Sequence, residues 1–302
     1  SSGNTVANIF QPTELITPIS EKSHYSYFLP SANLRYELEE DLIIRAAYSK
    51  TLTRANLPDL APSESVRGIS DVDGGTGSKG NPQLLPFTAD NLDLGVEWYF
   101  EEEGIISATF FYKDIDGLID TTTFVQTRQF PRQADGVIVT GDILFTQPEN
   151  GVSATIEGFE FGFQKPLPAD FGLLFNYTFA RSSADFGNDD DVRSSGLPGL
   201  SRNSFNASVY YDNGKLDARL SYAWRERYLA QFSDDFGVPR FVDDFGQLDL
   251  SANYSINENF QLQLQVLNVT NEQLINQATA DFLPYGVSQL DRRVLLGIRY
   301  SY

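Results

Sequence analysis

The chain has 302 residues, with 41 Asp and Glu against 22 Lys and Arg and a formal net charge of −19. That balance excludes nucleic acid as a partner, because phosphate backbones demand clustered basic side chains. It has no Cys and a single His, His24. Disulfides, thiolate metal sites and Cys nucleophiles are therefore excluded, and a Ser-His-Asp triad or a multi-His metal site is disfavoured. No enzymatic role and no resident cofactor or metal is expected.

No run of about 18 apolar residues occurs, so no transmembrane helix is read here, although a β-barrel needs only alternate apolar residues. The first residues, SSGNTVANIF, carry neither a basic n-region nor an apolar h-region. Residues 1–30 are irregular, broken by Pro12, Pro18 and Pro30, and are read as an extracellular loop. Alternation begins at Ser31. Leu34, Tyr36 and Leu38 share one face, a tight turn follows at Glu39-Glu40-Asp41, and Leu42, Ile44, Ala46 and Tyr48 return. A long Gly-, Pro- and Asp-rich loop is expected over roughly 53–88. The clearest hairpin follows: Leu92, Leu94, Val96, Trp98 and Phe100, then a turn at 101–104, then Ile106, Ala108, Phe110 and Tyr112. Side chains in a strand point to opposite faces with period two, so each arm has one apolar face and one mostly polar face.

Residues 120–151 read as a long insertion, with a small hairpin around Gly136. Phe159, Phe161 and Phe163 then pair, across the turn Pro166–Asp170, with Phe171, Leu173, Phe175, Tyr177 and Phe179. After an acidic loop, Phe205, Ala207, Val209 and Tyr211 precede Asn213-Gly214, a strong hairpin signal. Leu216, Ala218, Leu220, Tyr222 and Trp224 follow it. A loop over about 229–243 separates these from Leu248, Leu250, Ala252, Tyr254 and Ile256. Next come Phe260, Leu262, Leu264 and Val266, and, past a last loop, a terminal strand with Val294, Leu296, Ile298, Tyr300 and Tyr302 on one face.

The sum is about eleven strands whose connections are alternately very short and long. A soluble sandwich or propeller also alternates, but has no reason to pair short with long connections so regularly. An antiparallel transmembrane β-barrel does: apolar faces meet lipid, polar faces meet a wet interior, and aromatics at strand ends form interfacial girdles. Single-chain bacterial barrels have even strand numbers, so the expected fold is all-β, about the last eleven strands of a plugged barrel of about 22. Residues 31–302 would form that C-terminal half.

The segments SANLRYELEEDLIIRAAYSKTLTRANLPDLAP, GNPQLLPFTADNLDLGVEWYF, FFYKDIDGLI, LPGLSRNSFNASVYYDNGKLDARLSYAWRERYL and GQLDLSANYSINENFQLQLQVLNVTNEQ occur in that order. Together they resemble the barrel of TonB-dependent outer-membrane receptors, nearest to the large receptors of Caulobacter- and Xanthomonas-type bacteria. Ala55 stands where the family usually has Pro. The terminal RRVLLGIRYSY resembles the closing strand read by the barrel-assembly machinery, which gives Gly297, Tyr300 and Tyr302 the signal positions. No TonB box, plug domain or first barrel half is recognisable in these residues. The resemblance implies a Gram-negative outer-membrane location within lipid bilayer and lipopolysaccharide. It implies partnership with TonB through the plug and with the remaining half of the receptor, and active uptake of a scarce small-molecule nutrient. An oligosaccharide is the expected ligand class; a ferric siderophore is the alternative, and a passive porin or structural barrel a third reading.

Tyr228, Phe232, Phe236 and Phe241 lie in or beside one external loop with Arg225, Arg227 and Asp234. Aromatic faces beside charged groups suit sugar rings, whose C–H faces stack while their hydroxyls hydrogen-bond; self-packing of the loop or an interfacial aromatic belt is the competing reading. Arg35, Arg45, Glu97, Arg219, Asp249 and Arg299 fall on the interior face and are read as networks with the plug or luminal water. The acidic residues Asp71, Asp73, Asp185 and Asp189–Asp191 lack the full calcium-loop pattern and read as solvated loop charge. TRANLPDL reads as the anchor of a strand top, with a ligand-proximal loop base as the alternative.

Overall fold

The computed structural model describes residues 20–70, 74–101, 103–131, 138–185, 196–232, 238–278 and 284–301. The strands among them are β1 (Ser31–Glu39), β2 (Leu42–Thr53), β3 (Glu64–Ser70), β4 (Gly74–Lys79), β5 (Phe87–Phe100), β6 (Gly104–Pro131), β7 (Ile138–Leu167) and β8 (Phe171–Asp185). They continue with β9 (Asn203–Asp212), β10 (Leu216–Arg225), β11 (Tyr228–Gln231), β12 (Arg240–Val242), β13 (Phe245–Ser255), β14 (Phe260–Leu267), β15 (Gln273–Gln277), β16 (Pro284–Gln289) and β17 (Arg293–Tyr300). No helix occurs among the described residues.

The chain divides into two compact units. The larger comprises Tyr27–Arg54, Leu85–Asp120 and Asn150–Tyr302. The main sheet runs β1-β2-β5-β6-β7-β8-β9-β10-β13-β14-β17, eleven strands in chain order, with β1 and β17 each bonded on one side only. The sheet is therefore open, and the eleven strands are those the alternation predicts.

Register explains why one face of this sheet is continuous. Tyr36 stands opposite Ile44, Ile44 opposite Val96, and Val96 opposite Ala108. Phe175 meets Ala207, Val209 meets Leu220, Leu250 meets Val266, and Leu264 meets Leu296. A slip of one residue would send each apolar set to the opposite face, so the pattern itself fixes the pairing. This face is not buried within the chain: Leu94 is 47%, Ile298 73% and Leu296 82% exposed. A surface of this extent is stable only against a nonaqueous neighbour.

Aromatic rings border the face at both strand ends. Near the short turns, Trp98 and Phe100 lie 5.1 Å apart, Phe171 and Tyr211 4.9 Å, and Phe260 and Tyr300 4.8 Å between centroids. Toward the long connections, Phe159 and Phe179 are 5.8 Å apart and Phe205 and Trp224 5.5 Å. Leu216 and Trp224 bracket β10, eight steps or roughly 26 Å of extended chain, which suits a tilted strand crossing a hydrocarbon layer.

The turns differ from expectation in one detail. Asn213-Gly214 does not make a two-residue loop: Lys215 also belongs to the turn, and within it Gly214 alone takes a positive φ, of 77°. The Asn213 side chain replaces the missing geometry, its Oδ1 accepting from the Lys215 and Leu216 amides at 3.1 and 2.8 Å. A side-chain oxygen that satisfies two turn amides removes the need for left-handed backbone at both central positions.

The long connections are also more ordered than their composition predicts. Residues 120–151, read as a long insertion, are strand rather than loop, belonging to β6 and β7 of 28 and 30 residues, and 121–149 fall in the smaller compact unit. The hairpin position Gly136 lies outside the described residues. The last two loops contain a four-stranded sheet, β11-β12-β15-β16, within the larger unit, in which Leu229 of β11 and Val242 of β12 are each only 5% exposed.

The smaller unit comprises Ala55–Leu84 and Thr121–Glu149, together with 20–26 among its described N-terminal residues. In it β3 pairs antiparallel with β4, and β4 parallel with 143–146 of β7. Ile143 and Phe145 form its buried core, with Val66 and Phe124 against them. TRANLPDL folds back on itself here: Asn56 Nδ2 donates to Asp59 Oδ2 at 3.2 Å, and the Asn81 amide donates to Asp59 O at 2.6 Å. A Cβ on Gly80 would stand 2.1 Å from the Ala61 carbonyl oxygen, so only glycine permits this closure.

Candidate functional site

On the polar face of the larger unit, toward the long connections, β8, β9, β10 and β13 line an open cavity of about 530 Å³. Alternation places Thr178, Ser204, Asn206, Ala223, Gln247 and Asp249 on that face, and all of them line the cavity. Arg225 and Phe245 stand at its upper rim, and the segment Gly199-Leu200-Ser201 closes one side. Gly199 has φ 85°, and its amide donates to Leu229 O at 2.8 Å, fixing that segment against β11.

The charged groups of the cavity already have partners. Arg225 donates from Nε to Ser201 Oγ at 2.9 Å and from Nη2 to Gly199 O at 3.0 Å. Its guanidinium lies 3.9 Å from the Tyr228 ring centroid, a cation–π contact. Asp249 accepts from Gln247 Nε2 at 2.8 and 3.0 Å and from the Asn268 amide at 2.8 Å. The other side chains lining the cavity are hydroxyls, the carboxamides of Asn206 and Gln247 (the latter bonded to Asp249), the aliphatic Ala180, Leu200 and Ala223, and aromatic rings.

The structure brings several predicted residues together. Arg227 lies 4.6 Å from the Phe241 ring centroid, and its Nε is 3.8 Å from Asp243 Oδ1. Gln277 donates from Nε2 to Asp243 Oδ2. Tyr228 and Phe241 therefore serve as stacking faces for arginines of the same loop. Phe232 is half-buried just past β11, whereas Asp234 and Phe236 lie outside the described residues. So do Asp71, Asp73, Asp189–Asp191, the side chain of Asp185, and Tyr302.

Apart from Asp249, the residues read as interior-facing fall elsewhere on the sheet. Arg45 grips Glu97 with both forks, Nε to Oε1 at 2.7 Å and Nη2 to Oε2 at 3.1 Å, and Tyr99 also donates to Glu97 at 3.1 Å. Arg35 stands opposite Arg45 in register and pairs with Glu37. Arg219 lies 5.7 Å from the Tyr210 ring centroid, and Arg299 is opposite Gln261. Gly297 and Tyr300 sit on β17, opposite Gln263 and Phe260. Residue-type reasoning passed over Asn206 and Gln247, although strand parity alone puts both on the polar face beside Asp249. It also passed over Asn268, a 3%-exposed turn residue whose role depends on long-range contacts.

A family model described as TonB dependent receptor-like, beta-barrel matches residues 4–269. The chain belongs to that family. TonB-dependent receptor barrels are outer-membrane proteins, and the open eleven-strand sheet is a portion of their fold. Among solved structures, the barrel portion is similar to the siderophore receptor PirA from Acinetobacter baumannii, at 17% identity and a TM-score of 0.71 over 91% of this chain and 41% of that one. It is similar to a ferric enterobactin receptor (PfeA) mutant from Pseudomonas aeruginosa in complex with enterobactin, at 19% identity and a TM-score of 0.71 over 91% and 40%. It is similar, too, to the siderophore receptor PiuA from Acinetobacter baumannii, at 15% identity and a TM-score of 0.57 over 90% and 35%. The chain thus spans about two fifths of the first two receptors' length; at these identities the likeness speaks for the fold.

Proposed function

We propose that this barrel portion serves TonB-dependent uptake of a neutral, hydroxyl-rich nutrient, an oligosaccharide, across a Gram-negative outer membrane. The carrying observation is the polar-face cavity, in which hydroxyl and carboxamide groups face inward while Arg225 and Asp249 are held by internal partners. Neutral donors and acceptors beside Phe245 match sugar hydroxyls and C–H faces. In this reading the apolar face meets lipid, the short turns face the periplasm, and the long connections face outward. TonB acts through a plug contributed by the rest of the receptor, and the barrel-assembly machinery reads β17.

Ferric-siderophore uptake is the second reading, favoured by the names of the solved relatives. Calorimetry on the complete, detergent-purified receptor separates the two. The expected result is saturable binding of an oligosaccharide, weakened about tenfold by Asn206→Leu or Gln247→Leu through loss of one hydrogen bond to the ligand each. Siderophore binding with no response to sugars would move the protein to iron uptake.

The membrane placement has its own check. Leu94 lies mid-strand on the apolar face, so Leu94→Arg is expected to cost about 2 kcal/mol in lipid vesicles. An unchanged guanidinium midpoint would show that this face does not meet hydrocarbon.

A further inference from the structure

The apolar face carries a concavity that the uptake reading does not use. Two cross-strand rows, Tyr254–Leu262–Ile298 and Ala252–Leu264–Leu296, lie side by side on β13, β14 and β17. Ala252 is also opposite Ala218 of β10, so two methyl groups meet where the next row pairs Leu216 with Tyr254. The resulting hollow holds about 520 Å³, walled by these apolar side chains and floored by the strands at Gln263 and Gly297.

A cation stands at its short-turn rim. Lys215 projects from the β9–β10 turn with its ammonium 5.3 Å from the Tyr254 ring centroid. Its carbonyl accepts from the Ser255 amide at 2.8 Å, which ties this turn to the end of β13. Lys215 is exposed and makes no ion pair with any described carboxylate. Lys165 provides the contrast: it too sits by a short turn over an aromatic ring, Phe100 at 5.4 Å, but is neutralised by Glu101 at 2.7 Å. In a strongly acidic chain, an unneutralised ammonium above an apolar hollow is matched to a molecule with an anionic head and a hydrocarbon tail.

We propose that Lys215 and this hollow hold one anionic phospholipid of the leaflet at the short-turn end. The phosphate meets the Lys215 ammonium, the Tyr254 phenol lies at headgroup depth, and an acyl chain packs along Ala252, Leu264 and Leu296. The inference rests on the membrane placement proposed above. Lipid tails are as apolar as leucine, so the hollow contributes close packing and the ammonium contributes selectivity for charge.

The test is native mass spectrometry of the complete receptor released from detergent after titration with phosphatidylglycerol or with phosphatidylcholine of the same chains. One retained phosphatidylglycerol is expected where phosphatidylcholine is stripped. Lys215→Ala should lower its retention about fivefold, the weight of one basic residue at a membrane surface. Ala252→Phe, which fills the hollow and leaves Lys215 in place, should lower it as well. Equal retention of the two lipids, or phosphatidylglycerol retention unchanged in both variants, overturns the site. Each protein is first checked for a heat-dependent gel-mobility shift, and Lys215→Gln replaces a variant that lacks it. A wild-type receptor without the shift would overturn the membrane placement itself, a failure distinct from loss of lipid selectivity alone.

Discussion

Phe145→Ala is expected to cost the smaller unit about 4 kcal/mol, the range for truncating a fully enclosed phenyl ring. Phe145 is 0% exposed and, with Ile143 at 2%, supplies the buried centre of that unit. The Phe124 ring stacks against it at 5.9 Å. Gly77 of β4 is registered directly opposite, and a Cβ there would stand 2.3 Å from the Phe145 ring, so the parallel β4–β7 pairing exists around this side chain. Two cations use the same ring: Lys79 Nζ at 4.2 Å and the Arg128 guanidinium at 5.1 Å from the centroid. Both also pair with Glu64, Lys79 at 3.3 Å. Removing the ring opens a cavity and takes from both cations the aromatic face that offsets their desolvation. Hydrogen exchange should then accelerate together across 64–70, 74–79 and 138–149. Phe145→Leu, which keeps most of the volume, should cost about 1 kcal/mol. Unchanged exchange in the alanine variant would mean that these strands are held by their backbone ladders alone.

That core also marks where the sequence ceases to be legible. The eleven-strand sheet can be read because its information is local. Leu92 through Phe100 and Ile106 through Tyr112 alternate within one hairpin, and the register between them follows from keeping Leu94 and Phe110 on one face. β3 and β4 carry no such signal. ESVRGIS and GGTGSK are polar or glycine-rich, and they become strands because Phe145, dozens of residues later, packs onto Gly77. β11 and β12, with four and three residues, are too short for any period to appear.

The candidate site divides along the same line. That Arg225, Tyr228, Arg227 and Phe241 lie close together is legible from one stretch of chain. That each arginine takes an aromatic ring of its own loop is not, because the pairing depends on β11 meeting β12. Asn206 and Gln247 were legible by parity yet chemically unobtrusive, since a neutral amide attracts less notice than a charge. The charges, once placed, are the groups already committed to internal partners.

Asn268 shows how much one such residue can hold, and Asn268→Ala is expected to cost about 3 kcal/mol. Its side chain closes three bonds at a site only 3% exposed. Nδ2 donates to Glu272 O at 3.0 Å and to Leu290 O, while Oδ1 accepts from the Glu272 amide at 2.8 Å. Its backbone sits at φ 54°, a conformation asparagine tolerates and alanine resists by about 1 kcal/mol. Alanine would leave two carbonyls and one amide without these partners, together worth about 2 kcal/mol at a part-buried site where Leu290 is exposed to water. Asn268→Gly separates the contributions: it removes the φ penalty but leaves the same three groups unpaired, so it should recover only the backbone share. The loss should appear as a lower denaturant midpoint and as faster exchange over 273–277 and 284–289, the strands that this turn positions. The Asn268 amide also holds Asp249 at the cavity wall, at 2.8 Å. The alanine variant should therefore weaken ligand binding even though its side chain is not among those lining the cavity. A glycine variant as stable as the parent would show that the three side-chain bonds carry no net energy, and would leave backbone strain as the residue's whole contribution.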